Sequence, residues 1–275
     1  MAARTIAIVD GMNFVFRAEY GFPARILNSQ KRDVTCIFGF FALVRKALRQ
    51  VEGEYELICV FDGQNAASTR KSELTDYKSN REDIETSFLA NLKYIFSALS
   101  ALRVKCIESE TIEADDLIAG ICATSPKRPV RILSADKDFY QLVDDRVKII
   151  NTQMKTEQKL VDAVYIAERF GIEPRDWVHY RAMTGDPSDN IKGIKGIGPK
   201  RAKQIIRSGL PLDAPIASDG ICALSDRLAD DWDDFQSLAR FIKLRPEPPP
   251  SDLIQDISSS ELPAAREVLS LIGMD

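Results

Sequence analysis

Two short runs of apolar, largely β-branched residues end in the same way. Ile6-Ala7-Ile8-Val9 runs into Asp10-Gly11, and Leu57-Ile58-Cys59-Val60-Phe61 runs into Asp62-Gly63. Continuous apolar runs of this length are the signature of strands buried on both faces, from which parallel sheets are built. Between them, residues 33 to 51 carry Ile37, Phe40, Phe41, Val44 and Leu48 at helical spacing, with Asp33 placed to cap the helix. A strand, a helix and a strand, each strand closed by an acid, make a crossover unit and point to an α/β fold. The pattern continues down the chain. A helix is expected over about 84 to 102, a third strand over 103 to 109, a fourth over 129 to 136 ending in Asp136-Lys137-Asp138, and a fifth, at an edge, over 147 to 151.

The acids form the second constraint. Glu113, Asp115 and Asp116 fall within four residues at the start of a helical pattern that goes on through Leu117, Ile118, Ile121 and Cys122. Acids in a first helical turn complement the dipole and cap free N–H groups, but three so close repel one another. With Asp10, Asp62, Asp136, Asp138, Asp186 and Asp189 they make nine carboxylates at strand ends and helix starts. In an open parallel sheet the ligand crevice lies outside the carboxyl ends of the strands, so most of these groups are expected to converge. Carboxylates without histidine or cysteine select hard cations, and two Mg²⁺ or Mn²⁺ ions would suit a phosphodiester substrate. Each acid also has an ordinary use: Asp-Gly makes turns, Asp136 and Asp138 could open a helix, and Asp189 could close a turn. Independent turns have no reason to place acids at the same end of every strand. His179, the only histidine, lies beside Trp177 and Tyr180 on a helical pattern and is read as a packing residue. A phosphoaspartate transferase would need an acid two residues after Asp10, where Met12 stands.

The net charge of −4, from 37 basic and 41 acidic residues among 275, argues superficially against a nucleic-acid partner. Setting the nine clustered carboxylates aside leaves a basic remainder. Arg70, Lys71, Lys78 and Arg81 follow the Asp62 strand and could neutralise a scissile phosphate; Tyr77 could stack on a base or pack locally, and Arg17, seven residues past Asp10, is similarly placed. Gly193, Gly196 and Gly198 lie between two helical patterns and read as a tight hairpin with outward N–H groups, a phosphate seat flanked by Lys192, Lys195, Lys200, Arg201 and Lys203. Five widely spaced cysteines form neither a zinc motif nor a disulfide framework. No apolar run is long enough for a membrane span and no signal layout opens the chain, so a cytoplasmic protein is expected. From Gly209 onward the sequence reads as helices joined by the stiff Pro246 to Pro250 linker and offers no chemistry.

Val9-Asp10-Gly11, Val60-Phe61-Asp62, Tyr77-Lys78-Ser79-Asn80-Arg81, Glu113-Ala114-Asp115-Asp116, Ala135-Asp136-Lys137-Asp138 and Gly185-Asp186-Pro187-Ser188-Asp189-Asn190, in this order and followed by the glycine hairpin, resemble the 5′-nuclease domain of bacterial DNA polymerase I and the free-standing flap endonucleases of bacteria and phages. All nine acidic positions of the family motif are filled, over residues 4 to about 208. The resemblance implies an α/β, PIN-like three-layer fold on a mostly parallel sheet. A nuclease core would span residues 1–160, with a helical arch at about 70–100. A helical region would span 161–275, with a helix-hairpin-helix at about 184–208. It also implies 5′-3′ exonuclease and 5′-flap endonuclease activity on branched or flapped DNA, RNA primer ends included, in replication and repair. Lys78 would be the active-site lysine, Arg81 and Arg70 would contact phosphate, and the hairpin backbone at 191–198 would hold K⁺. Gly63 to Ser68 lacks the usual aromatic before Arg70, and the last 65 residues have no counterpart in the motif set. With no polymerase domain following, a stand-alone monomer working beside a polymerase partner is expected. The rival readings are a structure-specific DNA-binding protein without turnover and an RNA-directed nuclease of the same fold.

Overall fold

The computed structural model describes residues 3–63, 66, 68–74, 86–154, 159–213 and 228–249. Six strands form one sheet: β1 (Thr5–Asp10), β2 (Tyr55–Asp62), β3 (Lys105–Ser109), β4 (Val130–Leu133), β5 (Val147–Ile150) and β6 (Leu160–Val161). Their order is β3-β2-β1-β4-β5-β6. All neighbours are parallel except β5 and β6. The short antiparallel β6 covers β5, which is therefore not the edge strand expected from its sequence. A two-residue strand carries too little pattern to be read beforehand.

Helices pack on both faces, as the continuous apolar strands require. Along β1, Ala7 and Val9 face a cluster built with α1 (Gly11–Tyr20), α2 (Thr35–Leu48) and α4 (Thr86–Ala101); α3 (Ser68–Glu73) precedes α4 in the chain. Ile6 and Ile8 face the other way, toward α5 (Ala114–Thr124) and the later helices α6 (Ala163–Phe170), α7 (Trp177–Thr184), α8 (Pro199–Arg207) and α9 (Trp232–Ile242). This second cluster runs without interruption from Ile8 and Val60 to Trp177, Ile205 and Phe235. Helix α2 is shorter at both ends than its apolar pattern, and Asp33 still serves its start, accepting from the Thr35 N–H at 2.9 Å and the Thr35 hydroxyl at 2.6 Å. A 3₁₀ turn, Pro174–Asp176, leads into α7.

After β1 the chain visits β2 and β3 on one side, then returns to β4 and β5 on the other. The order reverses between β1 and β4, and a crevice opens at the carboxyl ends of strands at such a point. Asp10 and the Ser134 to Asp138 segment occupy it. Cys36, Cys59 and Cys122 are buried free thiols and Cys106 is half-buried; Cys222 lies outside the described residues. Among the described residues, no helix is long and apolar enough to cross a membrane.

Candidate metal centre

Asp10 does not sit in a turn. Gly11 is already the first residue of α1, and Asp10 is its N-cap, with Oδ1 accepting from the Asn13 N–H at 3.1 Å. Glycine is needed at 11 because a Cβ would run into the Phe61 ring of β2. The other oxygen of Asp10 accepts from the Ser134 hydroxyl at 2.7 Å, and Ser134 Oγ in turn accepts from the Asp136 N–H at 3.0 Å. Asn13 Oδ1 accepts from the Ala135 N–H at 3.2 Å, so α1 and the end of β4 are stitched together across the switch point. Asp136 folds back to accept from the Asp138 N–H at 2.8 Å. On the other side of β1, Asp62 Oδ1 accepts from the Ala114 N–H at 2.7 Å and caps α5 from outside it, placing Glu113, Asp115 and Asp116 at the same crevice.

The last two acids arrive on a small closed loop. Asp186 and Ile191 exchange both backbone hydrogen bonds at 2.8 Å. Between them Pro187–Asp189 forms a 3₁₀ turn, capped by Asp186 Oδ1 accepting from the Ser188 N–H at 2.9 Å. One ligand atom each from Asp138, Asp186 and Asp189 lies within 4.8 Å of the others, close enough to share a cation.

Crowding is visible in the protonation of the cluster. Burial above all, then the charges of Asp136 and Asp62, push Asp10 up to about 7 against the Ser134 hydroxyl and the Asn13 N–H, which lower it. Burial also lifts Asp138 to about 7, with Asp136 and Asp189 adding to it and Arg181 and Arg70 opposing. Asp10, Asp62, Asp136, Asp138 and Asp189 therefore lie within electrostatic reach of one another in one chain of contacts. Buried carboxylates that repel each other and lack soft donors fit a hard divalent cation, which would remove the cost of ionising them.

Two buried arginines sit among these acids. Arg70, on α3, lies 2.6 Å from Glu113 Oε2 and 2.8 Å from Asp116 Oδ1, and its Nη1 donates to the Phe241 carbonyl at 3.4 Å. It is thus turned inward onto the carboxylates, not outward onto a phosphate as its position after β2 suggested; two acids at the start of α5 outcompete water for a guanidinium. Arg181, on the last turn of α7, pairs with Asp186 and stands 3.8 Å from Asp138 Oδ1. Sequence reasoning passed over Arg181, and only its spacing of one helical turn before Gly185-Asp186 could have signalled it.

The segment after α9, read from sequence as a linker without chemistry, is a strap across the site. The Arg245 N–H donates to Asp116 Oδ1 at 2.8 Å, the Glu247 N–H to the Asp116 carbonyl at 3.2 Å, and the Leu244 N–H to Gln141 Oε1 at 2.9 Å. The Arg245 side chain reaches Glu73 on α3 at 2.8 Å. Gly120 lets the strap lie directly on α5, since a Cβ there would collide with the Glu247 carbonyl.

The other expected site residues divide by place. Arg17 is half-buried, donating to Thr152 Oγ1 at 2.9 Å just beyond β5. Gly198 is the N-cap of α8, and Lys192, Lys195, Gly196, Lys200 and Arg201 are exposed around it, with Arg201 Nη1 donating to the Gly196 carbonyl at 2.6 Å. His179 packs on Phe235 and lies 3.3 Å from Asp213, a packing position as expected. Tyr77, Lys78 and Arg81 lie outside the described residues.

A mostly parallel sheet whose strand ends gather carboxylates, with two arginines set among them and an exposed basic hairpin beside it, suits a hard divalent cation and an anionic ligand. The family models agree: residues 5–171 match the 5′-3′ exonuclease N-terminal resolvase-like domain and residues 172–261 the 5′-3′ exonuclease C-terminal SAM fold. The chain belongs to the 5′-3′ exonuclease family. That match continues past residue 208, where the motifs end, to residue 261. The chain is 34% identical over 204 residues to the thermostable DNA polymerase I of Thermus thermophilus, covering 74% of this chain and 24% of that protein. It is 34% identical over 206 residues to DNA polymerase I of Deinococcus radiodurans, covering 74% and 21%. The chain thus spans about a quarter of the length of these relatives. In fold it matches a bacteriophage T5 flap endonuclease solved with DNA and metal ions (TM-score 0.69, 21% identity, 88% of this chain and 90% of that one). It also matches flap endonuclease-1 from Methanococcus jannaschii (TM-score 0.60, 21% identity, 98% and 86%).

Proposed function

We propose that this chain is a structure-specific 5′ nuclease that hydrolyses DNA phosphodiesters at 5′ ends and at the base of 5′ flaps, with two Mg²⁺ or Mn²⁺ ions held by the nine carboxylates. The observation that carries the reading is the meeting of Asp10, Asp62 and Asp136 to Asp138 at the switch point with Glu113 and Asp116 on α5 and with the Asp186 loop. Bound there, divalent ions would polarise the phosphodiester, lower the pKa of an attacking water and stabilise the leaving oxygen. The protein's own residues hold and orient. Ser134 and Asn13 fix Asp10, Asp62 is fixed by the α5 N-terminus, and the Asp186 to Ile191 closure aims Asp186 and Asp189. We assign Asp10, Asp62, Glu113, Asp115 and Asp116 to one ion and Asp136, Asp138, Asp186 and Asp189 to the other, with Asp136 between them.

Helices α7 and α8 with the glycine loop would act as a helix-hairpin-helix on the duplex. Lys192, Lys195, Lys200 and Arg201 would contact phosphates, and K⁺ would bind among the backbone carbonyls of 191–198. Arg17 would contact phosphate beside Asp10. In an arch over about 70–100, Tyr77, Lys78 and Arg81 would receive the 5′ strand, with Lys78 and Arg81 facing the scissile phosphate. A core at 1–160, a helical region at 161–275, and a monomer acting in the cytoplasm on primer ends and flaps left by a polymerase complete the reading.

The test is a pair of matched 5′-labelled duplexes, one with a DNA flap and one with an RNA flap. Cleavage of the DNA flap near its junction in Mg²⁺, and none in excess chelator, is expected. Tight binding of the flap without cleavage would leave a binding protein, and cleavage confined to the RNA flap would leave an RNA-directed nuclease.

A further inference from the structure

Three carboxylates, Asp138, Asp186 and Asp189, form the tightest acidic group among the described residues, and a guanidinium already stands against it. Arg181 leaves the last turn of α7, where a basic side chain would ordinarily lie along the helix end toward solvent and the C-terminal carbonyls. Instead its side chain is only 12% exposed. Its Nη2 pairs with Asp186 Oδ2, and its Nε, 3.8 Å from Asp138 Oδ1, is buried with no hydrogen-bond partner among the described residues. A buried guanidinium N–H left without an acceptor is costly, and a fully paired arginine could have been seated with less strain on satisfaction. Its position serves the carboxylates more than itself. With the three acids ionised, one arginine leaves two negative charges uncompensated, the charge of one divalent ion.

We propose that Arg181 is a built-in counter-cation of this group, a positioning residue that keeps the three acids together before an ion arrives and makes the second ion bind weakly. The inference rests on the two-ion reading above. Arg181 and an incoming cation both claim the Asp186 carboxylate, whose Oδ1 already accepts from Ser188, and the two positive charges repel in a site sheltered from water. Loading must therefore displace the guanidinium from Asp186 or accept it as a close like charge. Either event costs affinity at this group alone. Arg70 has the corresponding place on Glu113 and Asp116, but the Phe241 carbonyl of α9 is an additional acceptor for it. Among the described residues, the ion-pair partners of Arg181 are carboxylates alone.

The experiment counts bound Mn²⁺ in the full chain without DNA, using the free-ion paramagnetic resonance signal, for the parent, Arg181→Gln and Arg181→Lys. Thermal melts in chelator and in Mn²⁺ accompany each titration. In the parent we expect a tighter and a weaker class of site. Arg181→Gln should tighten the weaker class by about tenfold, the equivalent of roughly 1.4 kcal/mol. It should also lower the melting temperature in chelator and enlarge the gain that Mn²⁺ gives. Arg181→Lys, which keeps the charge, should stay within about threefold of the parent. A weaker class that is unchanged or loosened in a folded Arg181→Gln, or tightened equally by Arg181→Lys, overturns the inference while leaving two-ion binding intact. A parent that binds no Mn²⁺ removes the two-ion reading itself.

Discussion

At the scale of the residue, Asp10 shows how one side chain can belong both to the fold and to the site. It caps α1 and accepts from Ser134, two contacts that favour the charged form, yet burial and its acidic neighbours lift it to about 7. Asp138 is lifted in the same way. The folded state therefore holds these protons more tightly than an unfolded chain, whose carboxyls titrate near 3.8. A raised folded pKa means stability that is complete below about 4 and is lost as pH rises through about 7. In chelator, the melting temperature should fall between about pH 4 and pH 7, and a divalent ion should flatten that slope. Asp33 and Glu56, which their partners hold below the usual range, weaken the fold only on further acidification. Asp10→Asn keeps the shape and removes the charge. It should raise the metal-free melting temperature by on the order of 2–4 °C for each kcal/mol of relieved charging cost, while flap cleavage falls by about a hundredfold or more. A loss of metal-free stability instead would mean that Asp10 is needed as an anion for the fold. The acids themselves were legible in the sequence because strands end where their apolar runs end. Their partners were not: Ser134, Asn13 and Arg181 belong to no repeating pattern, and only the register of β1 on β4 and the turn from α7 into Asp186 bring them into contact.

At the scale of the element, the strap after α9 is what the sequence concealed most completely. Extended backbone leaves no period to detect, and its seat depends on a glycine 127 positions before Glu247, in a stretch of α5 that is buried from Asp116 to Cys122. By donating two backbone N–H groups to Asp116 and one side chain to Glu73, the strap ties the start of α5, which carries three candidate ligands, to α3. The Arg245 and Glu73 side chains are both about 40% exposed, so this pair is worth at most a few tenths of a kcal/mol to about 1 kcal/mol. The backbone contacts to the buried Asp116 matter more. Gly120→Ala should push the strap off α5, at a cost of about 1–3 kcal/mol by overpacking. Trypsin should then cut after Lys243, since Pro246 protects the bond after Arg245, under conditions that leave the parent chain intact there. Unchanged stability with no new cleavage would show that α5 shifts to admit the methyl group and that the strap is not held by that contact. By contrast α2, α4, α5 and the four parallel strands beyond β1 that build the sheet's order were readable, because both-face burial forces continuous apolar strands and one-face burial forces helical spacing, whereas α1 was hidden behind the Asp10-Gly11 turn reading.

At the scale of the whole molecule, the net charge of −4 describes neither of the regions that matter. The carboxylates are concentrated at the carboxyl edge of the sheet, while Lys192, Lys195, Lys200 and Arg201 stand exposed around the loop between α7 and α8. The joint between the two regions is α7 itself. It carries Arg181 toward Asp186 at its C-terminal end, and its C-cap, Gly185, leads into the loop closed by Ile191 just before the first hairpin lysine. A DNA backbone seated on the hairpin would therefore bind a surface that is basic and well solvated. Its contribution should be electrostatic and indifferent to sequence, with counterion release of about 0.9 per phosphate neutralised. Replacing Lys192, Lys195 and Lys200 together with alanine should reduce the slope of log Kobs against log salt for flap binding by up to roughly 2.7. Binding should weaken by similar factors across flaps of different sequence. Because the three lysines are exposed whereas Asp186 and Asp189 are buried, cleavage at saturating flap should keep its rate. A variant with the parent's salt slope would place the duplex elsewhere on the protein. One that binds normally but cleaves slowly would instead make the hairpin part of the chemistry, and the separation of a binding hairpin from a catalytic sheet edge would fail.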